Sequence, residues 1–108
     1  MSFFSIRKLP STEMIPGIER RAVWLDQVMI TFFVFQPHAV VPAHAHEHEQ
    51  ITIVTRGALK LTLDGATRIL RAGDGVSIPT NASHSACALD ELTEAYDAWS
   101  PPREDYKL

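Results

Sequence analysis

The chain has 108 residues, 45% hydrophobic and 21% charged, so it has room for one domain with a small core and lacks the composition of a disordered protein. Ten basic and thirteen acidic residues give a net charge of −3, which argues against a nucleic-acid partner. The single cysteine excludes an internal disulfide, and no apolar run approaches the roughly 20 residues of a membrane span. Because the N-terminus is also unlike a signal peptide, the chain is predicted to be a small soluble, cytoplasmic domain without membrane contacts.

Short strands separated by turns are predicted along most of the chain. Residues 1–20 are expected to form an N-terminal arm, with an irregular lead-in over residues 10–20. Residues 27–36 are a continuous β-branched and aromatic run, which is typical of a buried strand. Residues 51–56 and 58–63 alternate apolar and polar side chains, which predicts two strands with one buried face each.

The same pattern of turns and strands continues towards the C-terminus. Asp64-Gly65 lies between two strand-like runs and predicts a type I′ hairpin, because both central positions of that turn need a positive φ. Further strands are expected at residues 76–79 and 93–99, and short strands at such spacing favour a sandwich or barrel. The sequence therefore predicts a single all-β domain over residues 1–108, with its core over about 22–100 and a C-terminal tail over 101–108.

Three of the five histidines lie within seven residues. They are His44, His46 and His48, and the window ends at Gln50. Residues two apart on a strand share a face, so His44 and His46 are expected to point the same way and to be able to bind one divalent ion at Zn–N distances of about 2.0–2.1 Å. Taken alone, the window is equally compatible with an exposed polar turn.

Two wider patterns extend this histidine window. Residues 44–57 read H-x-H-x3-Q-x6-G, and residues 73–84 read G-x5-P-x-N-x2-H. Their spacing resembles the two motifs of the cupin superfamily, and this resemblance implies a cupin jelly-roll barrel, also called a double-stranded β-helix. Four positions depart from the motifs: His38 and Asn81 replace glycines, Ala88 replaces an asparagine, and Gln50 replaces a glutamate.

The cupin resemblance also implies a metal site, carried over onto His44, His46, Gln50 and His84. Its cofactor would be one divalent transition metal, and nickel, zinc, iron and manganese all suit such a site. Glutamine coordinates through a neutral carbonyl, so the metal keeps its full charge and is a stronger Lewis acid. His48 is interpreted as a neighbour of the site and not as a fifth ligand. The alternative is a metal-free barrel in which Gln50 is only a hydrogen-bonding strand residue.

The C-terminal residues form an unusual end for a barrel. Asp97 and Trp99 are two apart in a predicted strand and share a face, and the stiff Pro101-Pro102 pair holds Arg103 at a defined distance beyond them. An acid, an aromatic plate and a cation are therefore expected to converge. The alternative from these residues alone is a surface ion pair between Asp97 and Arg103, with Trp99 in the core.

This end of the chain is similar to a known signature. Residues 97–106, D-A-W-S-P-P-R-E-D-Y, and residues 48–52, H-E-Q-I-T, resemble runs found in the KdgF-type pectin-degradation cupins. That family converts 4,5-unsaturated monouronates, released from pectin or alginate, from the ring form to the linear keto form without redox chemistry. The resemblance implies catalytic roles for Asp97 in proton transfer, for Trp99 in stacking on the sugar, and for Arg103 in binding the carboxylate.

Two other functions stay open at this point. One is a non-catalytic cupin that binds a sugar or another small ligand, and the other is an Fe(II) cupin dioxygenase. The neutral Gln50 and the carboxylate-binding Arg103 favour the uronate enzyme over the dioxygenase.

A homodimer is also expected. A barrel of this size has open sheet edges and a limited core, and dimerisation covers edges and adds buried apolar area. The apolar run Phe3-Phe4-Ser5-Ile6 is expected to pack on a partner or on a sheet edge.

Overall fold

The alternating pattern of the sequence folds into ten β-strands in a computed structural model that describes residues 2–107. The strands are β1 Thr12–Ile15, β2 Ile18–Trp24, β3 Met29–Phe35, β4 Val40–His44, β5 Glu49–Arg56, β6 Ala58–Leu63, β7 Ala66–Arg71, β8 Gly75–Ile78, β9 His84–Ala88 and β10 Thr93–Ser100. Two single-turn 3₁₀ helices, Ile6–Lys8 and Glu104–Tyr106, lie outside the strands. None of the helices in this described part of the chain has the length and apolar character needed to cross a membrane.

The strands form two antiparallel sheets. One has the order β1-β2-β3-β10-β5-β8, and the other has the order β4-β9-β6-β7. Strands distant in the chain are neighbours, since β10 pairs with β3 on one side and with β5 on the other. This is the predicted arrangement of a single all-β jelly-roll domain, which the structure confirms.

The core follows the two-residue period of the strands. In β10 the side chains of Thr93, Ala95, Asp97 and Trp99 are buried, and the residues between them are more exposed. Val54 of β5 lies in the same core and is fully buried, and burial of a side chain of this kind contributes about 1.5–3 kcal/mol. The inward face of β10 therefore carries one acid, Asp97, into the interior of the barrel.

The prediction of an irregular lead-in over residues 10–20 is wrong. β1 and β2 occupy most of this segment and extend the six-stranded sheet beyond β3. Ile18 is completely buried, so the core begins before residue 22. The charged residues that follow Ile18 obscure the strand pattern, because it is pairing with β3 and not local propensity that keeps β2 extended.

The predicted turn at Asp64-Gly65 has the left-handed backbone that a type I′ turn requires. In the β6–β7 hairpin, Asp64 has a φ of 47° and Gly65 a φ of 84°. His38 and Asn81, which stand at glycine positions of the motifs, also have positive φ values of 65° and 63°. The motif geometry is therefore retained without glycine, and asparagine tolerates this conformation better than most residues do.

We expect Gly57 to be the turn residue that is most sensitive to substitution. Its φ is 81°, and a Cβ at this position would lie 2.5 Å from the carbonyl oxygen of Leu92. Gly57→Ala should lower the free energy of unfolding in urea by about 2–4 kcal/mol, because it adds a backbone clash to a strained φ. Gly65→Ala is the matched control, since φ there is +84° but nothing lies within 4 Å. Equal losses in the two variants would contradict the role of the clash.

Candidate metal centre and adjoining pocket

Three histidines converge beside the cavity between the two sheets. His44 ends β4 and His84 begins β9, and the two residues are partners across the sheet. His46 follows in the loop after β4. The nitrogen atoms that the three rings offer all lie within 4.8 Å of one another, a spacing that one metal ion can bridge.

The prediction that His46 shares a strand face with His44 is wrong. β4 stops at His44, so the two residues do not share a strand face. The loop instead turns His46 towards the cluster, and its backbone carbonyl accepts a hydrogen bond of 2.8 Å from the amide of Asn81. Asn81 of the second motif therefore helps to hold His46 of the first motif in place.

The backbone fixes the orientation of all three imidazole rings. Each Nδ1 lies 2.9 Å from a carbonyl oxygen two residues away: His44 from Pro42, His46 from His48, and His84 from Ala82. A carbonyl only accepts, so Nδ1 carries the proton and Nε2 presents a lone pair. Such outer contacts orient metal-binding histidines in proteins.

The electrostatic surroundings favour the neutral form of two of these rings. Burial lowers the pKa of His46 and of His84 from the ordinary value of 6.5. The hydrogen bonds to backbone carbonyls oppose this, whereas the charge of Arg103 acts in the same direction as burial. Neutral imidazole is the form that ligates a metal.

Gln50 completes the cluster from β5. Its side-chain Nε2 donates to the Thr52 hydroxyl at 3.0 Å and to Asp97 Oδ2 at 3.2 Å. The amide nitrogen of Gln50 is therefore fully engaged. The other side-chain atom, Oε1, lies 3.0 Å from His46 Nε2. The predicted ligands His44, His46, Gln50 and His84 are thus all brought together.

The residues fit a metal ion. Gln50 Oε1 and His46 Nε2 are both acceptors when His46 is neutral, and a cation between them would satisfy both. His84 Nε2 is buried and has no hydrogen-bond partner among residues 2–107. His48 is not one of the three clustered histidines but lies beside them, with its ring centroid 5.8 Å from that of His46, and its backbone carbonyl holds His46.

Asp97 is a buried acid beside the cluster. It is 5% exposed, and its Oδ1 has no hydrogen-bond partner in the described part of the chain. Burial raises the pKa of Asp97 to about 7, although hydrogen bonds from Thr52 and Gln50 lower it. A carboxyl group with such a pKa can both donate and accept a proton near neutral pH.

Trp99 forms part of the core and also of the cavity wall. Its indole Nε1 donates to the hydroxyl of the fully buried Thr31 at 2.9 Å, which fixes the ring. The ring centroid lies 5.3 Å from that of His46. Both the core and the site interpretations of Trp99 are therefore compatible with its position.

Arg103 does not pair with Asp97, so the surface ion pair considered in the sequence analysis is wrong. Its Nε and Nη2 donate to the two carboxylate oxygens of Asp105, at 3.2 and 2.8 Å. Its guanidinium carbon lies 5.2 Å from the centroid of the Trp99 ring. Nη1 is buried and has no acceptor within residues 2–107.

The cavity has polar groups on one side and apolar walls elsewhere. Its polar lining consists of His44, Gln50, Thr52, His84 and Asp97. Its apolar lining includes Met14, Phe33, Phe35, Val41, Leu59, Leu61, Ile78, Trp99 and Tyr106. Apolar walls with a few convergent polar groups are typical of a small-molecule site.

Sequence reasoning assigned no role to four residues of this region. Thr52 and Thr31 anchor Gln50 and Trp99, and Asp105 and Tyr106 contact Arg103. The two-residue period of β5 does place Thr52 on the face of Gln50, so this one could have been found.

Comparison with known proteins agrees with a cupin fold. The family model for the cupin domain matches residues 31–92. The pectin degradation protein KdgF of Dickeya dadantii (strain 3937) is 31% identical over 106 residues, which cover 96% of each chain.

Solved structures agree in fold over almost the whole chain. KdgF from Halomonas sp. has a TM-score of 0.92 and 34% identity, with 97% of each chain covered. An RmlC-like cupin from Shewanella frigidimarina NCIMB 400 also has a TM-score of 0.92, at 26% identity, with 98% of this chain and 96% of that chain covered. The match to the cupin domain over more than half of the sequence, together with the KdgF match along nearly all of it, shows that the chain belongs to the cupin family and to its KdgF-type members.

Proposed function

We propose that this cupin converts 4,5-unsaturated monouronates, derived from pectin or alginate, to their linear keto form. The observation that carries the proposal is Asp97, a buried acid that is hydrogen-bonded to Gln50 of the histidine cluster and shares the cavity wall with Trp99. The relationship to proteins named for pectin degradation supports the same substrate class.

The proposed substrate is a cyclic enol ether that carries a carboxylate. Opening its ring requires protonation of a ring carbon, addition of water, and collapse of the resulting hemiketal to a ketone. Asp97 would move these protons with its unpartnered Oδ1, and Trp99 would stack on the sugar ring. Arg103 would bind the carboxylate through Nη1, because Asp105 already occupies its Nε and Nη2.

A divalent transition metal held by His44, His46, Gln50 and His84 would supply Lewis acidity towards a substrate oxygen. Gln50 links this group to the acid, since its amide donates to Asp97 while its carbonyl oxygen faces His46. The Gln50 side chain thus couples the orientation of the proposed metal ligands to the orientation of Asp97.

The direct test is loss of the ultraviolet absorbance of a lyase-generated unsaturated monouronate. The purified protein should exceed the uncatalysed rate without consuming oxygen. A rate equal to the uncatalysed one, with retained sugar binding, would contradict the enzyme and favour a binding cupin. Oxygen consumption with a phenolic or thiol substrate would favour the dioxygenase.

We expect one divalent metal ion per chain. The three free Nε2 lone pairs and Gln50 Oε1 provide four donors, so elemental analysis of protein purified without a His-tag or chelator should give near-stoichiometric metal. His44→Ala removes one donor and should lower the metal content, whereas His38→Asn, at an exposed histidine paired with Asp90 and with a positive φ that asparagine tolerates, should not. Metal-free protein with full activity would contradict the site.

For assembly, we propose a homodimer through the outer face of the six-stranded sheet. Exposed Ile30, Ile51, Ile53 and Tyr96 form an apolar centre on β3, β5 and β10. Phe4 packs on this face, with its ring centroid 6.2 Å from that of Phe32.

The charges beside this patch fit a second copy of the chain. Glu19 on β2 and Arg56 on β5 lie in one row of residues across the sheet, which also holds Glu94 between them and Glu13 beyond Glu19. A two-fold axis along the strands between β3 and β10 would set Glu19 of one copy opposite Arg56 of the other. Light scattering at micromolar concentration should therefore give a dimer mass for the wild-type protein and a monomer mass for Ile53→Lys. A monomeric wild-type protein would contradict the proposal.

A further inference from the structure

The Tyr106 ring is held between two guanidinium groups. The guanidinium carbon of Arg20 lies 4.4 Å from the ring centroid, and that of Arg103 lies 4.1 Å from it. The ring also packs edge-on against Trp99 at 5.5 Å and Phe33 at 6.2 Å, and only 9% of Tyr106 is exposed. Tyr106 therefore anchors the C-terminal segment, predicted only as a tail, to the core and to the cavity wall.

Asp105 and Tyr106 restrain the Arg103 guanidinium in different directions. The two hydrogen bonds to Asp105 engage the Nε–Nη2 edge and fix rotation within the guanidinium plane. Contact with the Tyr106 face fixes the tilt of that plane. Since a guanidinium has five N–H donors in a rigid fork, these contacts leave the Nη1 edge as a defined donor pair.

The remaining Nη1 edge of Arg103 is an unsatisfied donor within residues 2–107. Nη1 is buried and lacks an acceptor in the described residues, and an unsatisfied donor on a charged group is costly. The charge of Arg103 also acts on His46 and His84, so the guanidinium belongs to the electrostatics of the histidine cluster.

We propose that Asp105 and Tyr106 are positioning residues that aim the Nη1 edge of Arg103 at the carboxylate of a uronate ligand. The inference rests on the proposed function and adds a basis for its selectivity for an anionic sugar. The C-terminal segment then acts as part of the binding site, because residues outside the ten strands set the geometry of the cation.

The inference predicts a defect in binding and not in turnover. Asp105→Asn leaves Arg103 one neutral acceptor oxygen in place of two charged ones, and Tyr106→Leu removes the aromatic face. Each should weaken galacturonate binding, measured by calorimetry on the metal-loaded protein, by about tenfold, the size expected for a misplaced charge-assisted contact. For the unsaturated substrate, KM should rise by a similar factor while kcat stays within about twofold of wild type.

Two further variants separate positioning from a general structural role. Tyr106→Phe keeps the ring that faces Arg103 and should restore wild-type affinity. Glu104→Gln is the matched control, because its carboxylate is adjacent but binds Lys107 and not Arg103. Asp105 has a side chain that is 61% exposed, so Asp105→Asn is expected to fold even where Tyr106→Leu does not.

The outcomes distinguish this inference from the proposed function. Wild-type binding and turnover, combined with unchanged affinity and KM in Asp105→Asn and in a folded Tyr106→Leu, would overturn the inference alone. Parallel losses of kcat and affinity in these variants, with Tyr106→Phe failing to restore either, would also overturn it. A wild-type protein that neither binds galacturonate nor accelerates ring opening would overturn the proposed function and this inference with it.

Discussion

Asp97→Asn is expected to lower kcat by about 10²–10⁴-fold, the usual contribution of a positioned acid or base. Asparagine has nearly the same shape and can still accept the hydrogen bond from Gln50, but it cannot exchange a proton with the substrate. Binding of galacturonate should therefore survive while turnover is lost. Absorbance assays at saturating substrate, together with calorimetry, measure the two effects separately.

The effect of Asp97→Asn on proton transfer must be distinguished from an effect on metal binding, because Asp97 also accepts a hydrogen bond from the Gln50 amide. Elemental analysis of Asp97→Asn should give the wild-type metal content, and its melting temperature should stay near that of the wild type. Asp90→Asn, at a carboxylate that is 94% exposed and pairs with His38, is the control for the loss of an acid elsewhere in the barrel. Wild-type kcat in the metal-loaded Asp97→Asn variant would rule out the proton-transfer role.

Much of this site could be predicted because its residues lie at fixed intervals. The spacing of His44, Gln50 and His84 resembles that of the cupin motifs, so the candidate ligands could be named from this resemblance before the barrel was known. The two-residue period likewise placed Asp97 and Trp99 on one face, which the burial of β10 confirms. The local sequence pattern is therefore sufficient to predict which face a side chain lies on when that side chain belongs to a strand.

The remainder depends on contacts that local pattern does not encode. His46 reaches the cluster from a loop held by Asn81, 35 residues later in the chain, and not through strand parity. β2 was missed because its charged residues lie on both faces, with Arg20 on the buried one, and so hide the apolar alternation of a strand that pairs with β3. The pairing of Arg103 with Asp105 was not predicted, because Asp105 lies in a single-turn 3₁₀ helix and not on a strand with a two-residue period.

Arg103→Lys is expected to raise KM by about tenfold or more with little change in kcat. Lysine keeps the positive charge, but it has one ammonium group in place of a rigid fork, so it cannot bind Asp105 through two donors and present a further pair to a carboxylate. Its stacking on Trp99 and Tyr106 would also be lost. Loss of one hydrogen bond to a charged group costs about 1.5–3 kcal/mol, and tenfold corresponds to about 1.4 kcal/mol.

The assignment of carboxylate binding to Arg103 and of proton transfer to Asp97 depends on the contrast between the two substitutions. Arg103→Lys should weaken galacturonate binding and leave turnover at saturation, whereas Asp97→Asn should do the reverse. Arg68→Lys, at an exposed position of β7, is the control for an arginine-to-lysine change away from the cavity. If Arg103→Lys instead lowered kcat and left KM unchanged, Arg103 would act on the reacting atoms and not on the carboxylate. Small and equal effects of both substitutions would contradict both roles while leaving the histidine cluster as a metal site to be tested by its metal content.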